Sequence, residues 1–244
     1  MAVTLSRPGL LPFAFPALPG VRCVFTTRLA GDLGLTGTMG TTGGAREGAV
    51  AARAALRDEL GIDEWTELKQ VHGDTFIRNP APTAVDEEPA VEGDGLATDR
   101  KRHALCIRTA DCQGILLAHP AGYIAAIHVG WRGNVLRLIQ TAVAAFCFDH
   151  SLDPADVCAV RGPSLGYAEF VNFSREWPAA FAPWYDQATR TMDLWSLTRR
   201  QLSDAGLKAR NIYSLDCCTY SLNSLFFSHR RGDTGRQMAL IWME

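Results

Sequence analysis

The stretch TADCQGILLAHPAGYIAAIHVGWRG, residues 109–133, decides how this chain is read. Two apolar runs flank His119-Pro120-Ala121-Gly122, a short loop of turn residues, and so predict a β-hairpin. Pairing Ala118 with Tyr123 sets Gln113 opposite His128 and leaves Cys112 one step diagonal to it. Strand parity then turns Cys112 and His128 to opposite faces. A one-residue change of register, or a bulge near Gly114, would bring them onto one face. In either case both lie at the open end of one hairpin, a few ångströms apart by ordinary strand spacing.

Read singly, these residues are ambiguous. A free cysteine usually packs as a small hydrophobe, although an acidic neighbour such as Asp111 is seldom core. His128 suits a hydrogen-bonded core histidine as well as a ligand. Trp131 could be core and Arg132 an ordinary surface charge. Gly130 and Gly133 shift that balance, because glycines let a backbone turn sharply and approach a ligand closely. Arg132 between them is placed as a fork for an anion.

A third group comes from QVHGD, where His72 is either a turn residue or a ligand. Two imidazoles and one thiolate make an N₂S zinc set with a fourth position open to water. Forty residues separate His72 from Cys112 and sixteen separate Cys112 from His128. No C-x-x-C or H-E-x-x-H signature accompanies them, so spacing alone does not specify a metal site.

The rest of the chain bounds the possibilities. Its 244 residues are 47% hydrophobic and 20% charged, the balance of a soluble globular protein. The formal net charge of −2 gives no field for nucleic acid or an anionic membrane. No apolar run approaches the roughly 20 residues of a membrane helix. The first 19 residues, with prolines at 8, 13, 16 and 19, read as a proline-rich lead-in rather than a secretory signal. Seven cysteines, an odd count with most in apolar runs, argue for a reducing compartment and buried thiols. Cys217 and Cys218, though adjacent, precede TYSLNSLFFS and are expected in core.

Strands are predicted at 21–28, 66–78 (with His72-Gly73-Asp74 inside), 103–109, 113–119, 122–128, 156–162, 211–216 and 236–243. Helices are predicted over 45–61, with the alanines, Val50 and Leu60 on one side and Gly61 as its stop, and over 193–206. Another runs over 135–148, capped by Asn134. Residues 31–44 form a glycine- and threonine-rich loop, and 79–94 an acidic, proline-bearing one. Strands and helices mix without strict alternation and no boundary divides them. The expectation is one α+β domain over 1–244, a layered fold with mixed β-sheets flanked by helices.

The motifs LKQVHGD, GDGLATD, TADC, HVGWRG and CTYSLNSLFFSHRRGDTGRQMALIWM, in that order, resemble the YfiH-type laccase-domain family. Its members were first labelled multicopper polyphenol oxidases and are now regarded as purine nucleoside phosphorylases. The likeness runs from about residue 20 to the C-terminus. It implies a zinc-bearing active site on His72, Cys112 and His128. It also implies phosphate-dependent cleavage of adenosine, inosine and methylthioadenosine, and adenosine deamination. A remote likeness to toxin cysteine deamidases is implied for the fold. This chain departs from the family pattern at Arg108, Gly114 and Val129, and in LTGTMGTTGG where a SLNLG-like stretch is common.

Phosphorolysis needs an anion held near the ribose C1′ and a leaving purine whose charge is met, so Arg28 and Arg132 are the expected phosphate contacts. The expected partners are purine nucleosides and phosphate in the cytoplasm, with no nucleic acid and no membrane. The sequence carries no signal of oligomeric state. Three rival readings stay open. The first is a cysteine hydrolase with Cys112 as nucleophile and His128 as base. The second is a copper-dependent phenol oxidase, which one cysteine and two histidines serve poorly as a multi-copper cluster. The third is a binding module without turnover.

Overall fold

The structure is a computed structural model that describes residues 8–35, 43–148 and 150–244, with residues 43–45 as backbone only. In chain order the first strands are β1 (Leu10–Phe13), β2 (Val21–Thr26), β3 (Glu64–Thr66), β4 (Phe76–Arg78) and β5 (Gly95–Thr98). Then come β6 (His103–Thr109), β7 (Gln113–His119), β8 (Tyr123–Val129) and β9 (Cys158–Arg161). The last are β10 (Tyr167–Glu169), β11 (Tyr185–Asp186), β12 (Thr191–Asp193), β13 (Ile212–Ser214) and β14 (Gln237–Met243). The helices are α1 (Gly43–Leu60), α2 (Trp131–Val135), α3 (Leu138–Phe148), α4 (Phe173–Glu176) and α5 (Leu194–Asp204).

Two mixed sheets carry the fold, in the orders β1-β2-β14-β6-β3 and β13-β9-β7-β8-β5-β4. They pack face to face through Cys23, Phe25, Leu105, Ile107 and Ile241 on one side and Leu96, Leu116, Ile124, Ala126 and Val160 on the other. The outer face of the first sheet is covered by α1, with Leu56 and Leu60 on Cys106, Leu240 and Trp242. The outer face of the second is covered by α3 and α5, with Leu138, Val143, Phe146 and Leu202 on Ile115, Leu117 and Ile127. The result is a layered α+β fold, helix on sheet on sheet on helix, as expected. Both faces of each sheet are buried, which is why β7, β8 and β14 read as unbroken apolar runs rather than alternating ones. A small sheet, β10-β12-β11, lies under a separate aromatic cluster that includes Phe170, Trp177 and Phe181.

The hairpin forms with a different register from the one expected. His119 pairs with Tyr123 and Gly114 with His128. The loop is three residues, closed by a Gly122 N–H to His119 C=O bond of 3.0 Å, and Gly122 takes φ +85° at no steric cost. With apolar residues on both strand faces, hydrophobic pattern cannot choose between registers; the turn geometry does. Even-numbered residues of β7 and β8 therefore face the space between the sheets, His128 among them, and Cys112 continues that parity just beyond β7.

Other expectations need correction. The 66–78 strand is interrupted: β3 ends at Thr66, β4 begins at Phe76, and His72 between them takes φ +60°. The 135–148 helix is two helices, α2 and α3, separated where Arg137 takes φ +59°. Asn134 caps neither. It is buried inside α2, where its amide donates to Gln201 Oε1 (2.8 Å) and Thr198 Oγ1 (3.2 Å). In α1 the buried stripe is Ala49, Arg53, Leu56 and Leu60, with Val50 only half-buried. Gly61 (φ +64°) ends α1 as expected, and Asp193 caps α5 through Ser196 N–H. Of the predicted 31–44 loop, residues 36–42 lie outside the described residues, as do 1–7 of the lead-in. The rest of the lead-in contains β1, which pairs antiparallel with β2.

Candidate active site

His72, Cys112 and His128 come together at one end of the sheet sandwich. One potential ligand atom from each lies within 4.8 Å of the others. Cys112 Sγ is 3.7 Å from His72 Nε2, and the two imidazole rings meet edge to face with centroids 4.8 Å apart. His128 is buried, Cys112 half-buried and His72 exposed, so the group opens to solvent on the His72 side.

Asp94, a residue the sequence reading did not single out, organises this group. It is fully buried at the end of the 79–94 loop, immediately before β5. Its Oδ1 lies 2.7 Å from His128 Nδ1 and accepts from the His72 backbone N–H at 3.0 Å. Its Oδ2 accepts from the N–H groups of Gly73 (2.7 Å) and Val71 (3.2 Å). The left-handed backbone at His72, which would otherwise be strained, is thereby held. The quoted motif GDGLATD contained Asp94, but nothing local marked its carboxylate as pointing back to QVHGD.

Gln70 fastens the same loop from its other side. Its amide accepts from Arg108 N–H and donates to Arg108 C=O, both at 2.8 Å, so it pairs with the β6 backbone like an added strand residue. Asp111, with φ +87°, accepts from Thr219 Oγ1 (2.7 Å), Ser228 Oγ (3.0 Å) and Arg230 N–H (2.7 Å). Those bonds anchor the segment before β14 beside Cys112.

The electrostatics follow from this packing. Burial pushes the Cys112 thiol up, but the facing rings of His128 and His72 outweigh it and bring it down to about 6. Burial pushes His128 down, yet the thiolate and Asp94 carry it up to about 9. Burial also raises the Asp94 carboxyl, and bonds from His128, Gly73 and Val71 leave it below its ordinary value. A carboxylate on Nδ1 orients His128 and turns its other ring nitrogen toward Cys112.

The residues fit a zinc ion by donor chemistry and by space. Two imidazoles and a low-pKa thiol form an N₂S set, and the carboxylate behind His128 is the support such a ligand needs. Space is left for it at Gly130. A Cβ there would stand 2.9 Å from His72 Cδ2 and 3.1 Å from Cys112 Sγ. Gly133 has no comparable role; it sits buried inside α2.

The cleft over the group, about 280 Å³, is lined by Gln70, Arg108, Thr109, His229 and Arg236 besides the three central residues. That is near the lower end of small-molecule sites, roughly 300–1,000 Å³. Arg28 and Arg132, expected as phosphate contacts, are not among the residues that line the cleft. Arg132 is exposed and stacks on Trp131 with 4.7 Å to the ring centroid, and Trp131 packs against Phe170 and Trp177. Arg28 pairs with Asp233 at 3.2 Å and lies over Phe227. Arg108 reaches the cleft while bonded to Glu67 and Glu88, which gives this charged interruption of β6 its partners. All seven cysteines are free. Cys217 and Cys218 are half-buried, not core as expected.

A family model described as multi-copper polyphenol oxidoreductase laccase matches residues 22–244. The chain belongs to this laccase-domain family. A purine nucleoside phosphorylase of Xylella fastidiosa is 31% identical to this laccase-domain chain, covering 94% of it and 95% of the relative. A purine nucleoside phosphorylase of Mycobacterium tuberculosis is 32% identical, covering 92% of each. Among solved structures, YlmD from Geobacillus stearothermophilus superposes with a TM-score of 0.80 at 26% identity, over 97% of this chain and 96% of that one. YfiH from Bacillus licheniformis shares the fold, with a TM-score of 0.82 at 24% identity over 98% of both chains. Among the described residues no helix of this laccase-domain chain is long and apolar enough to cross a membrane.

Proposed function

We propose that the chain is a cytoplasmic purine nucleoside phosphorylase. In this reading one domain cleaves adenosine, inosine and methylthioadenosine with inorganic phosphate, giving free base and a ribose 1-phosphate. The observation that carries it is the His72–Cys112–His128 group under an open cleft, in a chain whose relatives at 31–32% identity are named purine nucleoside phosphorylases.

In phosphorolysis a phosphate oxygen bonds to C1′ as the C1′–N9 bond breaks, and the purine leaves with the electron pair and takes up a proton. Bound at the N₂S set, zinc would supply Lewis acidity, the chemistry that adenosine deamination by water also calls for. The protein's own part is positional. Asp94 keeps the proton of His128 on Nδ1 and fixes His72 through its backbone, so both rings face Cys112 without rearrangement. Among the described residues that line the cleft none is a carboxylate, which favours an anionic co-substrate over a cationic one.

The test is a product assay with adenosine, with and without phosphate. Adenine and ribose 1-phosphate should form only when phosphate is present, and inosine formation should be independent of it. Adenine release at the same rate without phosphate would mean a hydrolase and overturn the proposal.

One observation favours a second reading. Cys112 Sγ stands 3.7 Å from an imidazole nitrogen, a spacing that also suits a nucleophilic cysteine hydrolase. Zinc content after purification without added metal separates the two. Multi-copper oxidation is not favoured. The described residues hold one three-ligand group, enough for a single ion rather than a copper cluster.

A further inference from the structure

His229 and Arg236, on the segment leading into β14, line the same cleft as His72 and His128. Arg236 Nη1 donates to the carbonyl oxygens of Thr234 (2.9 Å) and Gly235 (2.8 Å), its own chain neighbours. Its backbone is anchored on both sides. Its N–H donates to Asp32 Oδ1 at 2.8 Å, and its C=O accepts from the N–H of buried Leu33 at 3.0 Å. Asp32 Oδ1 also accepts from Gly34 N–H, so the carboxylate is engaged with backbone and not with the guanidinium.

Arg108 lines the same cleft but is shared between Glu67 and Glu88, so its charge is already matched. Arg28 shares the Asp233 carboxylate with Arg231 and Arg132 lies on Trp131, and neither lines the cleft. Arg236 has no carboxylate partner among the described residues. With Nη1 held by two carbonyls, its Nε–H and Nη2–H edge remains, and that edge is the pair of parallel donors that matches two oxygens of one oxyanion. His229, exposed and lining the same cleft, adds a further nitrogen.

We infer that Arg236, with His229, is the seat of the phosphate co-substrate, in the cleft that it shares with the His72–Cys112–His128 group. The inference rests on the proposed phosphorolysis for the identity of the anion. The rigid backbone anchorage means that the fork is oriented before phosphate arrives, so specificity for a tetrahedral oxyanion follows from geometry as well as charge.

The test measures inorganic phosphate binding to the zinc-loaded protein by calorimetry without nucleoside, and the phosphate KM of turnover with adenosine. Arg236→Gln should weaken phosphate binding and raise its KM by roughly ten- to a hundredfold, leaving the adenosine KM within a few-fold. Arg236→Lys should recover part of the loss, since it restores charge without the fork. His229→Gln should have a smaller effect in the same direction. Unchanged thermal melting of the lysine variant guards against reading a folding defect as a binding one. Wild-type phosphate affinity in Arg236→Gln overturns the inference, as does a loss carried by Arg28→Gln or Arg132→Gln in its place. Phosphate binding that depends on Arg236 without purine release would retain the seat and refute phosphorolysis. Phosphate-dependent purine release that ignores Arg236 would do the reverse.

Discussion

Asp94 stands directly behind His128, carboxylate oxygen to Nδ1 at 2.7 Å, while the same carboxylate gathers three backbone N–H groups from Val71, His72 and Gly73. One buried side chain therefore sets two of the three candidate ligands, one by its ring and one by its main chain. A metal bound here is as well placed as this carboxylate allows.

Asp94→Asn tests that coupling. The amide offers one acceptor where the carboxylate offers two, and its NH₂ group must face either His128 Nδ1–H or a backbone N–H. Loss of such support typically lowers metal affinity ten- to a hundredfold. A competitive chelator titration should show zinc affinity falling by roughly that factor. Affinity equal to wild type would mean the carboxylate is structural only.

Gly130→Ala separates space from backbone conformation. Gly130 takes φ −79° and ψ 176°, which any residue adopts, so the backbone is not strained by the change. The added methyl group meets His72 and Cys112 instead, at 2.9 and 3.1 Å. Zinc content and turnover should drop while the melting temperature stays within a few degrees. A fully active, zinc-loaded alanine variant would show that the cradle has room for a Cβ.

The cysteines give a third contrast. Elemental analysis should find about one zinc per chain, and Cys112→Ala should lose most of it. Cys112→Ser should abolish turnover. Cys217→Ser, half-buried outside the group, should leave turnover within a few-fold of wild type. Equal losses from both serine variants, with native circular dichroism, would place the chemistry elsewhere.

Acid stability should depend on His103. It is fully buried, with Thr66 Oγ1 at Nε2 and Glu64 at Nδ1. Burial, helped by Arg100, pushes its pKa down to about 4 against the pull of Glu64. Between about 4 and 6.5 the unfolded chain then holds more protons than the folded one. Stability is full above 6.5 and drains as pH falls toward 4, by on the order of 3 kcal/mol if this group acts alone. Urea unfolding of wild type and His103→Gln at pH 7 and pH 5 measures it. The variant should be less stable at pH 7 and lose less between the two values; equal pH slopes would exclude His103 as the source.

What the sequence determined by itself is what local pattern can carry. Apolar runs named β6, β7, β8 and β14, with only Arg108 breaking β6, caps and glycine stops bounded α1 and α5, and the motif order named the family. His72, Cys112 and His128 were also legible, because histidines and a cysteine beside turns stand out against an apolar background. The tertiary structure decided the register of the hairpin, since both faces of β7 and β8 are apolar and only the three-residue turn at Gly122 discriminates. It also decided the support and the lining. Asp94 meets His128 across 34 residues, and Arg236 is anchored to Asp32 across 204. Periodicity reports which face of its own strand or helix a residue takes. A hydrogen bond made by a loop or strand end to a distant segment leaves no period in the sequence, so Asp94, His229 and Arg236 became visible only once the sheets had closed.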